Sequence, residues 1–150
     1  MNAFLYFLFP AQTTSKGMSA TLLMARIIFG GLFLSHGIGK LMYYETFATN
    51  FPDPLEIGSS ISLLCAIFVE VVCSLCIIAG LFYRLMLLPM IFIMLVAIFA
   101  IHSNDTFAEK ELAIIYLAIF WFMLLAGAGR FSVDAIIRKR IIRYYAQGWL

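Results

Sequence analysis

Charged positions along this chain gather in short stretches, and between them run long segments that are apolar on every side of a helical wheel. The first extends from about Thr21 to Tyr43. The second, "IGSSISLLCAIFVEVVCSLCIIAGLFY", runs from Ile57 to Tyr83 and is interrupted only by Glu70. The third, "LMLLPMIFIMLVAIFAI", covers Leu85 to Ile101, and the fourth covers Leu112 to Gly127; neither carries a charge. A helix crossing a bilayer needs roughly 20 such residues, so the third is at the short limit. Strands of a membrane barrel would alternate polar and apolar positions. These runs do not, and the expected fold is all-α, an integral membrane four-helix bundle in one domain with spans at about 21–43, 57–83, 85–101 and 112–127. Pro89 is expected near the first turn of the third helix, where a missing N–H costs little.

After the fourth run the period changes. In "GAGRFSVDAIIRKRIIRYYAQGWL" Ser132 is a plausible N-cap, Asp134 suits the positive end of a following helix, and Ile137, Ile141 and Tyr144 recur at helical spacing. Arg138, Lys139, Arg140 and Arg143 fill the other faces. This predicts an amphipathic interfacial helix over about 133–147, lying on a leaflet with its cations near anionic headgroups and Trp149 at the interface. The opening "MNAFLYFLFPAQTT" lacks a basic start and breaks at Pro10, so it reads as an interfacial segment and not as a cleaved signal.

Composition agrees with the pattern: 64% hydrophobic residues, 12% charged and 15 Phe lie far from soluble averages. Charge placement adds an orientation. With four spans both termini share a side, and that side holds Lys16, Arg26, Arg84, Arg130, Arg138, Lys139, Arg140 and Arg143, eight of the ten basic residues. Lys40 and Lys110 fall on the other side. Both termini are therefore expected in the cytoplasm, with the loops around 44–56 and 102–111 outside.

Within the apolar runs, the few charges are the candidates for chemistry. Arg26, Gly30, Phe33, Gly37 and Lys40 follow one another by four and three residues and share a stripe of the first helix; its glycines would let a neighbouring helix approach. Glu70, Cys73, Ile77, Gly80 and Arg84 repeat the spacing on the second. Glu70 should lie near mid-membrane, where a carboxylate is paired, protonated or facing water. Arg26 is the nearest candidate partner and Lys40 is expected farther off. Such a pair could simply fix helix register, or Glu70 could be a proton-exchanging catalytic carboxylate in a polar cavity.

At the outer end, His36 and Lys40 could meet His102 and Glu111 around a polar mouth able to hold a ligand, with Asp105 and Glu109 nearby. A plain polar rim is the simpler reading, and no metal-ligand spacing is present. Cys73 and Cys76 form "CSLC" in mid-helix, far from the cations and water that activate thiols, so packing is their expected role. No phosphate loop, nucleophile elbow or nucleic-acid patch occurs.

Taken in order, Arg26 with its following glycines, "HGIGK", "FPDPLEIG", "VEVVCSLCIIAGLFYRL", "AIFAIH", "HSNDTFAEKELAIIYL" and "GAGRFSVD" resemble the DoxX family of small bacterial membrane proteins, over roughly Thr21 to Asp134. The chain departs at Glu56, where similar sequences favour glycine. The resemblance implies a four-helix protein of the bacterial inner membrane, related to quinone-linked redox subunits and to membrane proteins that pair with a redox partner. The first functional expectation is therefore a redox-associated subunit that holds a quinone or an oxidoreductase partner, electrons coming from that partner. A second is a transporter or small-molecule binder along Arg26, Glu70, His36 and Lys40, which would need a homo-oligomer because four helices rarely enclose an alternating-access site. A third is a non-catalytic adaptor.

Overall fold

The computed structural model describes residues 15–147, so the expectations for the first fourteen residues and for Trp149 fall outside it. Among the described residues there are helices and no strands. We number them α1 (Lys16–Met42), the short α2 (Tyr44–Ala48), α3 (Ser59–Ala79), α4 (Tyr83–Ile101), α5 (Phe107–Ala126) and α6 (Val133–Gln147). By length and composition α1, α3 and α4 can each cross a membrane. Large apolar side chains such as Phe99, Phe122 and Leu125 point outward, as lipid-facing surfaces require. The chain is an all-α membrane protein.

Helix ends follow capping chemistry more closely than hydropathy. α1 starts at Lys16, five residues before the apolar run, because the Ser15 hydroxyl accepts the Met18 N–H. α5 likewise starts at Phe107, where Glu109 reaches back to accept the Thr106 N–H at 2.8 Å. α3 stops at Ala79, not Tyr83. Gly80 takes φ +72°, its N–H bonds to Ile77 O and the Leu81 N–H to Cys76 O, a Schellman ending that closes the helix. The α3–α4 turn is thus three residues long, and α4 opens at Tyr83. This corrects the expectation for Pro89: it is the seventh residue of α4, so Leu85 loses its donor four residues on.

Two π-helical turns interrupt the bundle, Phe68–Cys73 in α3 and Ala97–Ile101 at the end of α4. In the first, consecutive residues Val69 and Glu70 are both buried. Such turns often accompany functional sites.

α3 lies between α1 and α4, α4 packs on α5, and α5 meets α1 more lightly. The core joins Phe33, Cys73, Ile77, Leu87, Met90, Tyr116 and Phe120, with the Phe33 ring 5.2 Å from Tyr116 and 5.0 Å from Phe120. Ser19, Arg26, Gly30, Phe33 and Gly37 are the buried residues of α1, the face marked by the glycine stripe. Its antiparallel register on α3 is visible at the glycines. A Cβ on Gly37 would come within 2.7 Å of the Glu70 Cβ, and one on Gly80 within 2.6 Å of the Arg26 guanidinium. Arg26 therefore faces the end of α3, and Gly37 faces its middle.

Candidate functional site

That register decides the ion pairing. Glu70 is about ten residues, or ~15 Å, from the level of Arg26 along α3. Lys40, one turn beyond Gly37, bends its long side chain inward instead. Its Nζ donates to Glu70 Oε1 at 2.8 Å and Oε2 at 2.6 Å, a bidentate contact in which the Glu70 side chain is 7% exposed and Lys40 25%. The expected Arg26–Glu70 pair does not form, because the connection between α1 and α3 sets a register that the depth of each residue alone could not reveal.

Arg26, 1% exposed, has a different occupation. It donates to Ala128 O at 2.7 Å, Phe131 O at 2.7 Å and Ile78 O at 3.2 Å, tying the end of α3 to the loop before α6. Beside it the buried Asp134 accepts the Phe82 and Tyr83 N–H groups, both at 2.9 Å, and so caps the start of α4. Phe82, held there, has φ +45°, a strained value for a bulky residue. Burial pushes the Asp134 carboxyl above the usual carboxylate range, opposed by those two N–H bonds and the Arg26 charge. Ser132 does cap α6, accepting the Ala135 N–H, and Asp134 lies in the first turn of α6 as expected while spending its hydrogen bonds on the start of α4.

The Lys40–Glu70 pair forms the polar floor of a cleft of about 280 Å³ between α3 and α4. Its walls are apolar: Ala66, Val69 and Cys65 of α3 face Pro89, Ile93 and Ala97 of α4, all near the two π-turns. Phe51, Pro52, Pro54 and Leu55 roof it. Phe92, midway along α4, is exposed, so the cleft opens sideways past that helix, and Leu55 and Ile57 are exposed in the loop above it. The roof is pinned by Asp53, whose carboxylate accepts the Gly58 N–H at 2.6 Å, the Ile57 N–H at 3.1 Å and the Ser62 hydroxyl at 2.6 Å. These bonds, led by that from Ser62, hold its carboxyl below the usual range.

Of the other expected site residues, His36 stays near the pair: it lies on an adjoining face of α1, its ring 5.9 Å from Tyr116 and close enough to Glu70 for their charges to interact. His102 bonds to Asp105 at 2.7 Å within the loop between α4 and α5, and Glu111 is exposed on α5. Among the described residues no hydrogen bond or ion pair joins His36, Lys40, His102 and Glu111, and no group of three or more His, Cys, Asp or Glu could hold a metal. The residues overlooked in the sequence are the roof and walls. "FPDPLEIG", two prolines around an aspartate with Phe51, Leu55 and Ile57 beside them in a loop, was the available signal for the roof.

The profile of the DoxX family matches residues 21–103, a span from α1 to the end of α4 that contains Arg26, Lys40, Glu70, the roof and both walls of the cleft. A comparison with curated proteins finds no match, and one with solved structures finds none. Because the profile covers more than half of the 150 residues, the chain belongs to the DoxX family.

Proposed function

We propose that this chain is a redox-associated subunit of the bacterial inner membrane whose cleft holds the head of a quinone. The observation that carries the reading is the Lys40–Glu70 pair at the closed end of an apolar cleft that opens sideways. Ligand sites commonly occupy about 300–1,000 Å³. At about 280 Å³ this cleft suits one ring, with an isoprenoid tail remaining in lipid. The Lys40 ammonium has a third N–H for a carbonyl oxygen, and Glu70 can hold or return a proton at that oxygen. A bound quinone would supply a carrier for two electrons and two protons, the electrons coming from a partner redox protein.

In this reading all four long helices cross the bilayer as one domain, α6 lies along the inner leaflet, and both termini are cytoplasmic. A transport path along the bundle is less well supported, since Arg26 is spent on carbonyls where such a path would leave.

The test is saturable binding of a short-chain benzoquinone to the protein in nanodiscs. Glu70→Gln should weaken binding tenfold or more, yet stay folded, because Lys40 can turn outward to water. Absence of saturable binding, or unchanged binding in a folded Glu70→Gln variant, overturns the proposal.

A further inference from the structure

The opposite end of the bundle carries a second concavity, about 220 Å³ in volume, where the loop after α5 meets the first turns of α6. Arg130, Ala135, Arg138 and Lys139 line it, so three of its four side chains are cationic. The Arg138 Nε is buried and has no hydrogen-bond partner among the described residues. A buried donor of this kind calls for an acceptor. The nearest carboxylate in sequence, Asp134, does not provide one, for both its oxygens are turned to the Phe82 and Tyr83 N–H groups. From Gly127 to Gln147 it is also the single acidic residue against five basic ones.

We propose that Arg130, Arg138 and Lys139 form a binding pocket for the phosphate group of an anionic phospholipid. The chemistry follows from the donors: guanidinium groups pair with phosphate oxygens through parallel N–H bonds, and an ammonium adds an undirected charge. The volume accepts a headgroup phosphate but lies below that of drug-sized ligand sites. The position is also right for a headgroup. The pocket lies just beyond the apolar end of α5, on a helix whose basic face would rest on the leaflet. Because Asp134 fastens the start of α6 to the α3–α4 turn, the pocket is held in place by the fold and is distinct from a diffuse basic surface.

Native mass spectrometry of protein released from nanodiscs tests this. Phosphatidylglycerol should be retained over phosphatidylcholine, and each of Arg138→Gln and Lys139→Gln should lower that retention about fivefold. Lys139 is exposed, so its substitution reports on binding even if Arg138→Gln fails to fold. Arg140→Gln, outside the pocket, should have no effect. Inorganic phosphate displacing the lipid at millimolar concentration would keep the pocket but assign it to free phosphate. Equal retention of the two lipids, or an Arg140→Gln loss as large as the Lys139→Gln loss, overturns the proposal.

Discussion

Asp53 stands in a loop and acts as part of a helix. Its carboxylate takes the Ile57 and Gly58 N–H groups and the Ser62 hydroxyl at the start of α3, and thereby holds Pro52 and Pro54 over the cleft. A carboxyl whose folded pKa is lowered contributes stability above its unfolded value and loses it as the pH falls through the folded one. The Ile57 and Gly58 amides should therefore lose hydrogen-exchange protection as the pH drops below the usual carboxylate range. Protection in Asp53→Asn should be weaker at neutral pH and flat across that range. Three residues on, Glu56 has φ +55°, a conformation glycine adopts without cost. The identity of Glu70 as the carboxylate buried within a long apolar helix was legible from the one charge in the 27-residue stretch Ile57–Tyr83. Its partner was not, because a partner depends on the register between two helices, which is set by a loop of unknown path.

At the scale of elements, the three-residue turn between α3 and α4 shows how closely the ends are specified. Gly80 combines a positive φ with contact to the Arg26 guanidinium and the Ser132 Cβ, whereas Gly58, with φ +101°, has nothing within 4 Å of an added Cβ. Gly58→Ala should cost about 1–3 kcal/mol from backbone strain alone, because φ +101° with ψ +133° lies outside the left-handed helical region that other residues visit. Gly80→Ala combines left-handed strain of about 1–2 kcal/mol with overpacking of about 1–3 kcal/mol in a site that cannot yield, and thermal unfolding in detergent should show both. The two partners of the ion pair should differ as well. Lys40→Met leaves Glu70 buried and unpaired, at a cost of up to about 3–5 kcal/mol, while Glu70→Gln leaves a lysine that can reach water. Four helical bodies could be read from hydropathy, and the buried stripe of α1 from the spacing of its glycines. The π-turns could not be read, since they preserve the apolar pattern and alter only the winding. The ends moved because Ser15, Gly80 and Thr106 override hydropathy.

The whole molecule has two chemically different ends. One carries the proline-roofed cleft with its acidic loops; the other carries Arg26, Asp134 and the basic α6. If the four long helices all cross, cysteines placed at Asn104 and Arg140 in a background free of native cysteine should react from opposite sides. Asn104→Cys should label in intact cells with an impermeant maleimide, and Arg140→Cys only after the membrane is opened. Labelling of both from one side would contradict four crossings, and the reverse pattern would contradict a cytoplasmic α6. The all-α membrane class was evident from composition and from the lack of alternation. The cleft was hidden because its lining comes from α1, α3, α4 and the loop before α3, and no single segment has the pattern of a binding site.

The turn joining α3 to α4 also has a consequence in time. The Gly80 carbonyl of that turn accepts the Asp134 N–H, and the Phe82 and Tyr83 amides donate to the Asp134 carboxylate, while Arg26 holds the Ile78 carbonyl at the end of α3. Asp134 leaves the ribosome some fifty residues after the turn itself. Until that aspartate arrives, the Phe82 and Tyr83 amides lack the carboxylate that accepts them in the folded protein. A chain stopped short of Asp134 would keep every apolar helix and still lack the fastening that locks them. Translation past Asp134 is thus required before these bonds can close the α3–α4 joint.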